Sequence, residues 1–392
     1  MSERIGVIFG GRSTEHDISI VSAIANVVKP LKVAGKEVLP IYIDKKGVWR
    51  AGEEFGIIEN YRLANFSRLL EKNKPVAVDI NDGLKIVFSA KGALAKPRVV
   101  KIDMVFPVMH GTNGEDGSLM GLLQMADVPF VGCRMEASAV AMNKILAKEV
   151  AVANNIPTSK FLHYTSSRFR GEPEVVIEEI LEKLELPLFV KPAHLGSSIG
   201  ITRVDKREDL GNAIDVAAYY DDRVIVEEAV QNLIEVTVPI IGQGDDLMLA
   251  NVEKPLTKAE DFFDFETKYM KGGKSSKRGG GKGAGGSQGY SEVPAKLPGK
   301  LYQRSEEIAR RVYEAIGCQG IARVDLLIDS KGGLIYFNEV NPMPGGLYAH
   351  NFAKSGINNV DLVLKLLEFA RRDFEARRVV SSTFESGYLE QF

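Results

Sequence analysis

The chain has 392 residues, 45% hydrophobic and 26% charged, a composition that suits two or three globular domains and excludes disorder as the whole answer. Lys plus Arg number 50 against 52 Asp plus Glu, so the net charge of −2 gives no overall attraction to nucleic acid. Cys133 and Cys318 are too few for a disulfide framework or a structural zinc site, and no run reaches about 18 apolar residues, so a cytoplasmic protein with two reduced thiols and no membrane contact is expected.

Met1-Ser2-Glu3-Arg4 runs straight into the buried strand 5–9, without the apolar core of a signal peptide. A Gly10-Gly11-Arg12-Ser13 turn follows, then helical apolar spacing over 19–33. Short apolar strands are expected over 37–44 and 102–109. Strands alternating with helices predict a mainly parallel, doubly wound sheet. A turn-rich loop at 110–117 leads into a helix from Ser118. Beyond Pro129 the spacing predicts a helix over 138–154 and strands over 186–191, 223–228 and 234–241. A hairpin joins 321–329 to 334–340 through Ser330-Lys331-Gly332-Gly333, and an amphipathic helix covers about 360–376.

The segment 271–289 stands apart, with nine Gly and five Lys or Arg among nineteen residues and no acid. Ordering so much Gly costs too much backbone entropy for regular structure. It reads either as a solvated insertion or as a lid whose positive charge attracts phosphate.

Neither a dinucleotide fingerprint nor a Walker A loop is present. Lys191 ends an apolar strand, where an ammonium without an anion costs several kcal/mol. Just beyond, Gly196-Ser197-Ser198-Ile199-Gly200 offers backbone N–H groups and two hydroxyls, suited to closing over phosphates. In the hairpin, Glu339 and Asn341 are two apart and share a face, and Asp325 joins them if the strands pair. Two carboxylates and an amide oxygen make a hard donor set for Mg²⁺. Arg323 could instead neutralise one of the acids, and Lys144 alone is an ordinary helix lysine.

Taken in order, Phe9-Gly10-Gly11-Arg12-Ser13-Thr14-Glu15-His16, His110-Gly111-Thr112-Asn113-Gly114-Glu115-Asp116-Gly117, Val190-Lys191-Pro192, Gly196-Ser197-Ser198, Ala322-Arg323-Val324-Asp325 and Asn338-Glu339-Val340-Asn341 resemble the ATP-grasp ligases, most nearly the D-alanine–D-alanine ligases. The resemblance implies an α/β protein: an N-terminal doubly wound parallel-sheet domain (1–138) that binds substrate, then two-part ATP-grasp α+β domains. The latter divide into a central subdomain (139–228) and a C-terminal subdomain (229–392) with the Gly-rich lid insertion 271–289.

It further implies that Lys144, Lys191, Ser198 and Lys268 bind ATP, with Glu227 at the adenine and Glu235 at the ribose. Asp325, Glu339 and Asn341 would hold two Mg²⁺ ions, or Mn²⁺. Glu15 would bind the first ammonium, Ser197 and Tyr269 would fix its surroundings, and His110 would line that subsite. Arg323 and the Gly345 N–H would stabilise the tetrahedral intermediate. Residues 264–269 look like the start of the family's closing loop. The implied reaction joins two D-alanines through an acyl phosphate, in a homodimer.

After Pro344-Gly345 the family carries a Thr and a Ser for the second carboxylate, where this chain has Gly346-Leu347-Tyr348-Ala349-His350. His350 stands at the Ser position and either replaces that hydroxyl, marks another second substrate, or lies on the surface. Two alternatives therefore stay open: a ligase with a different second amino or hydroxy acid, and a non-catalytic nucleotide-binding regulator.

Overall fold

The apolar run at the start of the chain forms strand β1 (Arg4–Gly10), buried from Ile5 onward, because a strand covered on both faces has no polar side to alternate with. The computed structural model describes residues 3–90, 96–256, 291–381, 383 and 386–392. Lys268, Tyr269, the closing-loop start 264–269 and the insertion 271–289 lie outside the described residues.

The N-terminal strands are β1, β2 (Glu37–Ile43), β3 (Trp49–Ala51), β4 (Val76–Asp79), β5 (Leu84–Phe88), β6 (Arg98–Ile102) and β7 (Met104–Val108). One sheet has the order β3-β2-β1-β7, with β2 and β7 parallel to β1 and β3 an antiparallel edge. The other three strands form an antiparallel meander, β4-β5-β6. The strand expected over 102–109 is thus divided: Ile102 ends β6, and Asp103 turns the chain by accepting the Arg4 N–H at 2.8 Å. The helix expected over 19–33 starts earlier, at His16, and widens to a π-turn at Ile24–Val28. Pro30 has no N–H for the Asn26 carbonyl, which accounts for the altered ladder.

The central strands β8 (Phe161–Thr165), β9 (Leu188–Pro192), β10 (Thr202–Val204) and β11 (Arg223–Glu228) form an antiparallel sheet of order β10-β9-β11-β8. The helix expected over 138–154 is two helices, Met135–Met142 and Lys144–Ala153. Asn143 breaks it: its backbone is extended, and its Oδ1 accepts the N–H groups of Ile145 and Leu146 as an N-cap.

The C-terminal strands are β12 (Leu233–Gly242), β13 (Met248–Leu249), β14 (Lys254–Pro255), β15 (Ser291–Glu292), β16 (Gly320–Asp329) and β17 (Leu334–Asn341). The main sheet has the order β13-β12-β16-β17, and the expected hairpin is β16–β17. The last helix, Asn359–Arg378, sends Leu362, Val363, Leu366 and Ala370 into the core that also holds Ile5, Val27 and Leu31. The last helix therefore packs against the N-terminal helix through one shared core. Cys133 and Cys318 are both buried free thiols. Among the described residues, no helix is long and apolar enough to cross a membrane.

Candidate active site

Three loops close around Glu15. Its carboxylate accepts the Ser197 hydroxyl, and its backbone N–H donates to Ser13 Oγ at 3.0 Å. A Cβ on Gly111 would stand 2.6 Å from Ser13 Oγ and 2.9 Å from Glu15 Oε2, so the 110–117 loop can approach only because that position is bare. A second acid lies behind. Glu115 is buried, its Oε2 accepts the Gly111 N–H at 2.5 Å, and its Oε1 has no hydrogen-bond partner among the described residues. Burial, with Glu15 beside it, pushes the Glu115 carboxyl up to about 8. Burial also brings His110 down to about 4, a neutral ring 3.1 Å from Ser22 Oγ. Sequence reasoning does not single out Glu115; its one signal is an acid enclosed by Gly111, Gly114 and Gly117.

Lysines bridge the central and C-terminal sheets. Lys191, on β9, reaches Glu227 Oε2 at 3.2 Å and Asn338 Oδ1 at 3.3 Å. Lys144, first residue of its helix, donates to the Leu195 carbonyl at 2.6 Å and pairs with Glu339 at 3.3 Å. Lys148, one turn further, is completely buried and pairs with the same Glu227 oxygen at 3.2 Å. Burial alone would raise the Glu227 carboxyl, but Lys148 and Lys191 hold it at about 2. Glu227 is thus an ionised anchor for two lysines. Glu235, on β12, is half-buried opposite Leu327 of β16.

Asp325 and Glu339 face each other across the β16–β17 hairpin, and Arg323 faces Asn341, with a register shift just after Asp325. The expected acid cluster is therefore assembled. Arg323 holds Asp325 through two contacts, one of 2.7 Å from Nε, and its guanidinium lies 5.3 Å from the centre of the Tyr348 ring. Burial works against the Arg323 charge, but Asp325 outweighs it. Two facing carboxylates and the Asn341 oxygen suit Mg²⁺ or Mn²⁺, with Lys144 and Arg323 as their countercharges here.

Gly345 opens the next turn and His350 lies beyond it. His350 is not a plain surface residue: its Nε2 lies 3.1 and 2.9 Å from the two oxygens of buried Glu253, which also accepts the Asn351 amide at 2.9 Å. Burial would raise the Glu253 carboxyl, yet His350 holds it below the usual range. Nothing in the sequence marks Glu253.

Backbone strain gathers at the same place. Ser197 and Ser198 have φ of 55° and 59°, and Leu347 and Tyr348 have 54° and 49°. Left-handed backbone costs a non-glycine residue roughly 1–2 kcal/mol, and such strain concentrates at functional sites.

Comparison with known proteins places the chain in a family. Residues 4–133 match the family described as D-ala D-ala ligase N-terminus, and residues 150–368 match D-ala D-ala ligase C-terminus. The D-alanine--D-alanine ligase of Chlorobium limicola is 34% identical over 381 residues, covering 95% of this chain and 98% of that protein. That of Acetivibrio thermocellus is 32% identical, covering 94% and 96%. Among solved structures, the VanG D-Ala:D-Ser ligase from Enterococcus faecalis superposes with a TM-score of 0.76 at 31% identity, covering 94% of this chain and 100% of the other. The D-alanine-D-alanine ligase from Coxiella burnetii gives 0.76 at 26% identity, covering 96% and 97%.

Proposed function

The chain belongs to the D-alanine–D-alanine ligase family, and on that premise we propose that it joins two D-alanines at the expense of ATP, making the dipeptide for peptidoglycan precursors. The observation that carries this reading is the chain of contacts that links Glu15, Ser197, Lys144, Lys191, Arg323 and the Asp325–Glu339 pair.

Glu15 takes the ammonium of the first D-alanine, and Ser197 holds Glu15 in place. The carboxylate of that amino acid attacks the γ-phosphate, forming an acyl phosphate and ADP. The amine of the second D-alanine then attacks the acyl carbon, and phosphate leaves. Lys144, Lys191 and Ser198 hold the phosphates, with Glu227 and Glu235 toward the nucleoside. Arg323 and the Gly345 N–H meet the oxyanion of the tetrahedral intermediate. Asp325, Glu339 and Asn341 would hold the magnesium or manganese ions, which offset phosphate charge when bound. His110 lines the first subsite, neutral and unable to repel the ammonium. Lys268 and Tyr269 take their family roles in this reading, in a homodimer within the cytoplasm.

A second reading, another second amino acid, is favoured by one observation: the contact of His350 with the Glu253 carboxylate where the family carries a hydroxyl. Release of ADP and phosphate across a panel of D- and L-amino acids and D-lactate tests both. D-alanine alone should support full turnover. Faster turnover with D-alanine plus a different second substrate replaces the first reading by the second, and no turnover with any substrate overturns both.

A further inference from the structure

His194 has no part in the chemistry above, yet it ties the phosphate-facing elements together. Its backbone N–H donates to Asp221 Oδ2 at 2.7 Å, and its Nδ1 lies 3.0 Å from the same oxygen. On the other side, its Nε2 lies 3.0 Å from the Asn143 amide nitrogen. The Asn143 oxygen already caps Ile145 and Leu146, so Asn143 must present its NH₂ to the ring. His194 Nε2 is therefore the acceptor, and Nδ1 carries the proton toward Asp221.

The neighbours of this bridge are the ATP-facing parts. The Lys144 N–H donates to the Ala193 carbonyl at 2.9 Å, and Lys144 Nζ donates to Leu195 at 2.6 Å. At the far end of the loop, a Cβ on Gly200 would stand 2.9 Å from the Tyr220 ring, so Tyr220 and Asp221 brace both ends of the 194–200 loop. His194, Asp221 and Asp222 also have metal-ligand spacing. The facing atoms of His194 and Asp221 are taken by hydrogen bonds, however, which argues against a cation there.

We propose that His194 is a positioning residue for ATP: by bridging Asn143 to Asp221, it fixes the 196–200 loop in register with the helix that presents Lys144. This rests on the reading that Lys144 and that loop take the ATP phosphates.

The test is ATP–Mg²⁺ binding by calorimetry on the full-length chain without amino acid, followed by steady-state kinetics. His194→Ala should weaken ATP binding about 3- to 10-fold, the range for one hydrogen bond, and raise the KM for D-alanine by less, because Ser197 of the same loop also holds Glu15. His194→Gln keeps an acceptor near Nε2 and His194→Asn a donor near Nδ1, so each should recover part of the loss. Should His194→Ala not fold, His194→Asn is read instead, and weakening beyond twofold supports the proposal. Wild-type ATP affinity in the variant read overturns it, as does an equal loss toward ATP and D-alanine. Wild-type protein that binds ATP but never turns over D-alanine strikes the ligase reading and leaves this test standing.

Discussion

The Glu253 carboxylate grips His350 Nε2 with both oxygens, at 3.1 and 2.9 Å, across 97 residues of sequence. Nε2 is thereby committed inside the protein as a donor, and Nδ1 would meet a substrate carboxylate only as a second N–H donor, in the doubly protonated ring. His350→Ala would leave a buried anion beside that carboxylate, so the KM for the second amino acid should rise about ten- to a hundredfold at unchanged ATP affinity. Adding Glu253→Gln should restore part of the loss, because an amide does not repel a carboxylate. Varying the second substrate at saturating ATP reads both effects; an unchanged KM in His350→Ala removes the residue from the subsite.

At the acid pair, each carboxylate also neutralises a neighbouring cation. Glu339→Gln removes an anionic metal ligand and the partner of Lys144, whose side chain is 8% exposed. Asp325→Asn removes the other ligand and the partner of Arg323, 18% exposed. Both variants should lose most turnover, and both should melt earlier, because a largely enclosed charge is left without its partner. Phosphate release and thermal melts on the two proteins read both effects, and near-normal release by either removes that acid from the metal site.

Glu115 sets a pH dependence of stability. Its carboxyl lies at about 8 when folded against 4.5 when free, so the folded state binds the extra proton between those values. The stabilisation is full below pH 4.5 and is lost as pH rises through 8. Between pH 7 and 8, above both the folded value near 4 and the free value of 6.5 for His110, wild-type Tm should fall with pH, and Glu115→Gln should flatten that slope. Parallel curves for the two proteins would refute the assignment.

Lys148 is completely enclosed and shares Glu227 with Lys191. Lys148→Met should destabilise the fold by about 3–5 kcal/mol, the cost of breaking a buried pair. Chemical denaturation measures it. A loss below about 1 kcal/mol would mean that Lys191 alone satisfies the anion.

The parts of the site legible in the sequence are those whose chemistry lies within a few residues. Lys191 before Pro192, the alternation that puts Glu339 and Asn341 on one face, and the short turn that brings Asp325 opposite Glu339 are all local. The break at Asn143 was hidden because an N-cap inside an apolar helical pattern looks like one more polar helix residue. Glu115, Lys148 and Glu253 were hidden for another reason: each acquires its role from a partner on a separate element. Burial of a charge is a property of the assembled sheets, and no window of sequence contains it.

The left-handed residues in the two loops, Ser197 with Ser198 and Leu347 with Tyr348, also bear on how the protein can be improved. Glycine adopts their backbone without that strain, so a glycine at Ser197 or Ser198 should make the folded chain hardier, whereas at Leu347, fully buried in the core, it would cost more packing than it relieves. Each serine change also discards a hydroxyl, at Ser197 the one that Glu15 accepts. Selection for heat resistance alone should therefore drift toward glycine in that loop, yielding proteins that survive longer and work less.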